Sequence, residues 1–300
     1  MARIFRTSLA TALLLAAAPA VAEKNWILPS ATIFSGAEGW VSVDAANSGD
    51  LFFADHRPGN LDQIKVWAPD GSPSRIQNGT TLRRRAVFDV QLDKPGTWKI
   101  GTQTAMVMGS FKINGEERRV GGRPMPRPAT AAAAGAPAGA NAGPAPAAMP
   151  SPPPRPLTVA DIPAEATDVK LTQVSGRNEI FVTLGEPTRT VLATTGQGLE
   201  FDPVTHPDEL VTGETARFRF LVDGKPAANL HVTIVAGGTR YRNSEEAMDL
   251  TTGADGMIQV KWPAAGLYWL GATLTDGKPT EPRATERRLS YSATLEVLTP

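Results

Sequence analysis

Between Gly121 and Pro156 the chain reads GGRPMPRPATAAAAGAPAGANAGPAPAAMPSPPPRP, and that stretch limits what the whole can become. Alanine, proline and glycine bury little apolar area. Prolines also remove amide donors, and the ordering entropy of each residue goes uncompensated, so a solvated, disordered segment is expected rather than a folded unit. Any core must come from the residues on either side, which read as short strands. The segment is then either a tether between β-modules or a long insertion in a loop of one of them.

The chain opens with MARIFRTSLATALLLAAAPAVA, in which Arg3 and Arg6 precede an apolar run from Leu9 to Ala18 and a small-residue Ala20-Val21-Ala22 site. Residues 1–22 therefore read as a secretory signal peptide, and a periplasmic mature chain is expected to begin at Glu23. No later stretch approaches the ~20 apolar residues of a membrane helix, so the protein is not expected to be membrane-embedded. There is no cysteine, hence no disulfide. Basic and acidic residues number 30 each, and removal of the two signal arginines leaves a slight acidic excess. Nucleic acid, which calls for a basic face, is an unsuitable partner.

From Trp26 the pattern is strand after strand, each bounded by Gly, Pro, Asn or Asp. Ala86–Leu92, AVFDVQL, comes close to alternating apolar and polar, as a strand with one face on a core does. Asn114-Gly115 at the end of Gly96–Asn114 is the strongest hairpin signal in the chain, although Glu116–Arg119 then runs toward the low-complexity stretch. Beyond that stretch, DVKLTQV (168–174) and EIFVTL (179–184) read as a second hairpin turning at Ser175-Gly176-Arg177-Asn178. A hairpin alone is marginal in water, so it is placed on the first module. From Gly198, seven or so short strands form a second module. The expected fold is all-β: two immunoglobulin-like or transthyretin-like antiparallel sandwiches, an N-terminal one over 23–196 and a C-terminal one over 197–300. A disordered insertion at about 119–160 lies in the first.

Three histidines are available for chemistry. Asp55 and His56 form the best local metal-binding pair, since imidazole and carboxylate together suit divalent transition ions. His206, between Pro203 and Pro207 in a stiff segment, is a third ligand if the chain folds back toward His56. Each also fits a plainer role, His56 packing at a loop, Asp55 capping a turn and His206 bonding to backbone. His231 opens a strand and reads as a sheet-surface residue. Met106 and Met108 fall on one face of a strand, where core packing is expected. Trp262, Tyr268 and Trp269 suit either a sugar-stacking platform or, with Leu267 and Leu270 around them, sandwich core. No nucleophile elbow, H-E-x-x-H helix or phosphate-binding glycine loop is present, and no enzymatic activity is expected.

Taken together, Trp26–Ser30, Phe34-Ser35-Gly36, Gly39-Trp40-Val41, Asp55-His56-Arg57-Pro58, Gly198–Leu210 and Gly237-Gly238-Thr239-Arg240-Tyr241 carry a resemblance. The chain resembles the NikM-like domain-of-unknown-function family, exported proteins labelled as periplasmic components of nickel or cobalt transport. Its second half is also similar to carboxypeptidase-regulatory-like β-sandwiches, which are mostly non-catalytic. Many family members begin the mature chain with histidine, where this one has Glu23. The resemblance implies a non-enzymatic accessory protein in nickel, cobalt or iron uptake, working beside an outer-membrane receptor or inner-membrane transporter. A cell-envelope adaptor, or a carbohydrate- or protein-binding module without a metal role, is the alternative.

Overall fold

The computed structural model describes residues 23–122 and 155–300. The signal peptide read at 1–22 and most of the insertion read at 119–160 lie outside the described residues. In chain order the strands are β1 Lys24–Pro29, β2 Ile33–Phe34, β3 Gly39–Ser48, β4 Arg57–Pro58, β5 Ile64–Trp67, β6 Pro73–Ser74, β7 Gln77–Thr81, β8 Ala86–Leu92, β9 Gly96–Ile113 and β10 Glu116–Val120. After the low-complexity segment come β11 Thr167–Leu184, β12 Leu199–Pro203, β13 Thr215–Val222, β14 Lys225–Pro226, β15 His231–Ala236, β16 Met248–Thr251, β17 Met257–Lys261, β18 Gly266–Asp276 and β19 Glu286–Val297. The chain is all-β, as its strand pattern requires.

These strands build a five-stranded sheet around β1-β3-β8-β7, a four-stranded sheet around β12-β13-β14, and a ten-stranded sheet in the order β16-β15-β18-β19-β11-β9-β5-β6. The large sheet is a layer of both sandwiches. Its centre is a parallel seam in which β11 pairs with β19 from Thr172↔Glu286 to Glu179↔Ala293. On the other side of β11 runs β9, antiparallel from Gly96 to Lys112.

Successive side chains on a strand point to opposite faces, and the two small sheets use that alternation. Trp98, Ile100, Ile180, Val182 and Leu184 of the large sheet meet Val41, Val43, Phe88, Val90 and Leu92 of the five-stranded sheet in one core. Phe181, Leu289, Tyr291, Leu270 and Ile234 point the other way and meet Phe201, Phe218, Phe220, Ile258 and Trp262 in a second. Ile180 and Phe181 are neighbours, so the small sheets lie on opposite faces of the large one. Covered on both faces, β11 is buried without interruption from Asn178 to Leu184. This is the continuous pattern of a doubly covered strand. Where one face is open, β8 alternates strictly between buried and half-buried residues.

Two sequence expectations change here. The segments 168–174 and 179–184 are not a hairpin but parts of one 18-residue strand. Ser175–Asn178 looks like a turn because Ser, Gly and Asn are turn formers, yet Gly176 pairs with Thr104 on one side and Ser290 on the other. A Cβ on Gly176 would lie 2.7 Å from the Ser290 hydroxyl, so glycine serves close packing rather than a bend. Second, the Asn114-Gly115 turn has its partner after all. Both residues have positive φ, 50° and 82°, and β10 pairs with β9 from Glu116 to Val120. Just beyond, Val120 bridges Leu157, and the Gly121 amide donates to the Leu157 carbonyl at 2.8 Å. The chain therefore leaves at Gly122 and returns at Arg155 in one place.

Because the seam joins both cores, unfolding should be cooperative across the described chain. Thermal melts followed by circular dichroism and by tryptophan fluorescence are expected to coincide in one transition. Ile180→Ala should lower that transition as a whole, with a cost of about 2–5 kcal/mol. Two separable transitions, with only one moved by the substitution, would contradict the coupling.

Candidate functional site

The structure sets Asp55 beside His56, as their adjacency allows. His56 Nδ1 lies 2.5 Å from Asp55 Oδ1, and the Gly49 amide donates to the same carboxyl at 3.3 Å. Partial burial pushes the Asp55 carboxyl up, but the bonds from His56, Gly49 and Asp50 outweigh it and hold the group below the usual carboxylate range. The loop that carries the pair is fixed both by β1 and from the C-terminal half of the chain. Leu51 N–H donates to Thr239 Oγ1 at 3.0 Å, Trp26 packs edge-on against Phe52 at 5.8 Å, and the Arg240 guanidinium lies 3.9 Å from the Phe53 ring centre. Three phrases behind the family resemblance, around Trp26, Asp55-His56 and Gly237–Tyr241, thus meet at one place.

His206 is elsewhere. It is buried in a polar knot in which Nε2 reaches the Thr188 carbonyl and Thr97 Oγ1, each at 3.1 Å. Its Nδ1 accepts the Asp208 N–H at 3.1 Å. A carbonyl can only accept, so Nε2 carries the proton and Nδ1 uses its lone pair within the protein; no nitrogen is left for a metal. Among the described residues, no group of three or more His, Cys, Asp and Glu side chains is placed to hold a metal ion. His231, half a sheet away, lies 3.2 Å from Asp249.

In the same knot the Asp208 carboxyl accepts the Thr183 hydroxyl, and burial pushes its pKa up to about 7. The nearby carboxylates of Glu296 and Glu209 push in the same direction. The folded protein therefore binds a proton that the unfolded chain, with a value of 3.8, has released. Folding stability contributed by this group is full below the unfolded value and is lost as pH rises toward 7, by up to about 1.4 kcal/mol per unit. Burial lowers the His206 pKa and gives the opposite slope. Asp208→Asn should remove the first contribution, so in urea titrations its stability advantage over the wild type should grow from about pH 4 to about pH 7. Parallel pH profiles would rule that out.

One large surface feature has no counterpart among the motifs that the sequence singles out. The five-stranded sheet covers its face of the large sheet over β5, β9 and the second half of β11, and Trp26 of β1 reaches on, with the Leu51–Ala54 loop, to Val235 and Trp269 of β15 and β18. Beyond it the same face stays open as a trough, with hollows of about 530 and 490 Å³ that share Asn25, Ser290 and Ser292. Its floor follows the pairing ladder across six strands: Thr102, Asn178, Ser292, Gly271, Thr233 and Asp249 lie side by side. The next row is Thr104, Gly176, Ser290 and Thr273. Five inter-strand steps make the trough roughly 24 Å long. Strand β1 forms one wall, where Asn178 donates to Asn25 Oδ1 at 2.7 Å.

Met106 and Met108 share a face as expected, but it is the open one at the trough's end, and Met106 is exposed rather than packed in a core. The three aromatics of the C-terminal half separate. Trp262 and Tyr268 pack at 4.9 Å in the core, while Trp269 points to the opposite face and lies half-buried in the trough. Its indole is laid over Gly271, where a Cβ would come within 2.0 Å of the ring, and its N–H donates to the Asn25 carbonyl at 3.2 Å. The sequence signal was Trp269-Leu270-Gly271, whose period-two alternation sets Trp269 against Tyr268.

Fold and trough define an all-β protein of stacked sheets with an open, polar, mid-sheet groove. The chain belongs to DUF4198, a domain of unknown function, whose family model matches residues 20–276. No curated protein matches the sequence. Solved structures similar to it include a DUF4785-family protein of Legionella pneumophila, with 8% identity and a TM-score of 0.22 over 82% of this chain and 50% of that one. Others are the Escherichia coli alpha-2-macroglobulin activated by porcine elastase (12%, 0.20, covering 91% and 31%) and a marsupial T cell receptor (8%, 0.20, covering 92% and 74%). The chain thus spans half the length of the Legionella protein and about a third of the macroglobulin.

Proposed function

We propose that this protein is a non-enzymatic binding protein of the cell envelope and that its ligand is an extended polar chain laid along the trough. The observation that carries the reading is the contrast between two outward sheet faces. On the four-stranded sheet the outward positions include Arg217, Arg219, Gln259 and Lys261 beside Thr215, Met257 and Asp202, mostly long or charged side chains of the kind that keep a solvated face soluble. The trough floor instead carries Thr, Ser, Gly and Asn at position after position, which leaves a hollow lined with hydrogen-bonding groups. Export and a periplasmic location follow from the signal-peptide reading and belong to the same proposal.

A second reading, handling of nickel, cobalt or iron beside a membrane receptor or transporter, rests on Asp55–His56. Two ligands fall short of the three or four that hold a divalent ion, so this pair would complete its set from a partner or from the metal's own chelator. Calorimetry on the chain from Glu23 with nickel, cobalt, copper, zinc and iron should then show weak binding at most, lost in His56→Ala. Tight stoichiometric binding by the isolated protein would put the metal reading first. For the trough, Thr104→Arg introduces a long cation on the floor, and Arg217→Ala alters the comparison face. Binding of soluble envelope polymers, followed by thermophoresis, is expected to fall at least tenfold in the first and to stay unchanged in the second. Binding indifferent to Thr104→Arg would contradict the proposal.

A further inference from the structure

We infer that the ligand of the trough is an uncharged glycan and that Trp269 is the platform on which one sugar ring stacks. The inference rests on the trough being the binding site and adds the chemical class. Three features choose a glycan over a peptide. First, the floor lies in mid-sheet, where backbone amides and carbonyls already pair with neighbouring strands. A peptide captured by a sheet normally adds to an edge, using main-chain groups that are still free, and the floor has none to give. Second, the floor chemistry is that of hydroxyls and amides. Ser290, Ser292, Thr102, Thr104 and Thr273 each donate and accept, as sugar hydroxyls do. Asn178, itself buried, donates to Asn25 and fixes the wall to the floor. Third, the floor row from Thr104 to Thr273 carries no formal charge, and the charged groups around it are of both signs, Arg57 and Lys24 against Glu23, Glu245 and Asp249, so neither a phosphorylated nor a strongly acidic chain is selected.

The indole supplies what such a floor lacks. A sugar ring presents C–H groups on one face, and a planar aromatic surface accepts that face while hydroxyls at the ring edge reach polar neighbours. Trp269 is held for this task from several sides. Gly271 lets the ring lie flat on the strand, the Asn25 carbonyl anchors its N–H, and Trp26, Leu51 and Val235 pack around it. The Lys24 ammonium, paired to Glu245, lies over the ring 5.7 Å from its centre, so a stacked sugar takes the place of this cation on the face away from Gly271. His231 and Asp249, on the far side, supply a hydrogen-bonding end to the groove.

The test is calorimetric titration of the full mature chain with chitohexaose and with cellohexaose, beside a glycine-serine-threonine peptide of similar length. At least one oligosaccharide is expected to bind. Trp269→Ala should weaken it at least tenfold, while Trp269→Phe keeps part of the affinity. Because Trp269→Ala also removes packing around Trp26, two further variants guard the result. Gly271→Ala tilts the ring without removing it, and Ser290→Arg fills the floor without touching it. Both should weaken sugar binding at least tenfold with an unchanged circular-dichroism spectrum. Binding of the peptide and of neither sugar, lost in Thr104→Arg, would overturn the glycan assignment and leave the trough as the site. Sugar binding untouched by all three of Trp269→Ala, Gly271→Ala and Ser290→Arg would overturn the platform and the trough together. So would binding of none of the three probes.

Discussion

The parallel ladder between β11 and β19 is the contact on which the rest of the molecule depends. It joins residues more than a hundred positions apart in register from Thr172↔Glu286 to Glu179↔Ala293. A slip of one residue would turn Tyr291 and Leu289 out of their core and carry Ser290 and Ser292 into it. Buried polar contacts mark the register. The Tyr291 hydroxyl donates to Glu179 at 3.0 Å, Lys99 stands 3.9 Å from the same carboxyl, and Arg177 lies 3.2 Å from Glu200. Nearby, Arg287 is paired with both Asp223 and Asp276. Burying such charges costs desolvation that their attraction only partly repays, so their contribution here is to fix which residues face each other.

The trough follows from the seam. Each small sheet covers one face of the large sheet over roughly half its width, and the two halves are opposite. The uncovered part of the upper face, from Thr104 across Gly176 and Ser290 to Thr273, is what remains. An ordinary solvated face would carry lysines, arginines and glutamates there. Short side chains turn an uncovered face into a concave one, and Trp269 gives one end of it a flat apolar surface. The Asp55–His56 loop belongs to the same neighbourhood, tied through Phe52 to Trp26 and through Leu51 to Thr239. Trough and loop are therefore held by a shared cluster.

Local pattern made much of the fold legible. The alternation in AVFDVQL, the Asn114-Gly115 turn and the sandwich class are all properties of short windows, and such windows read well. Ser175-Gly176-Arg177-Asn178 reads as a turn because small polar residues such as Ser175, Gly176 and Asn178 serve two different needs. Bends use them for their backbone freedom, whereas the trough uses them for their size, and only the pairing partners tell these apart. Parallel pairing between β11 and β19 leaves no local trace at all. Asp55 and His56 are adjacent in sequence, so their contact was visible. The remoteness of His206 and its tied nitrogens depend on how Thr97, Thr188 and Asp208 fold around it. In sequence Trp269 stands with Trp262 and Tyr268 among core residues; one step along a strand sends it to the other face.

The openness of the mid-sheet floor can be measured directly, because the chain contains no cysteine to interfere. A single thiol introduced as Ser290→Cys can be reacted with a maleimide under native conditions and compared with Ala293→Cys, which faces the core from the same strand. The account predicts labelling of the first at close to the rate of an exposed thiol without denaturant, and labelling of the second only on unfolding. Equal protection of both positions would mean that the face is covered, and the trough would not be a binding surface.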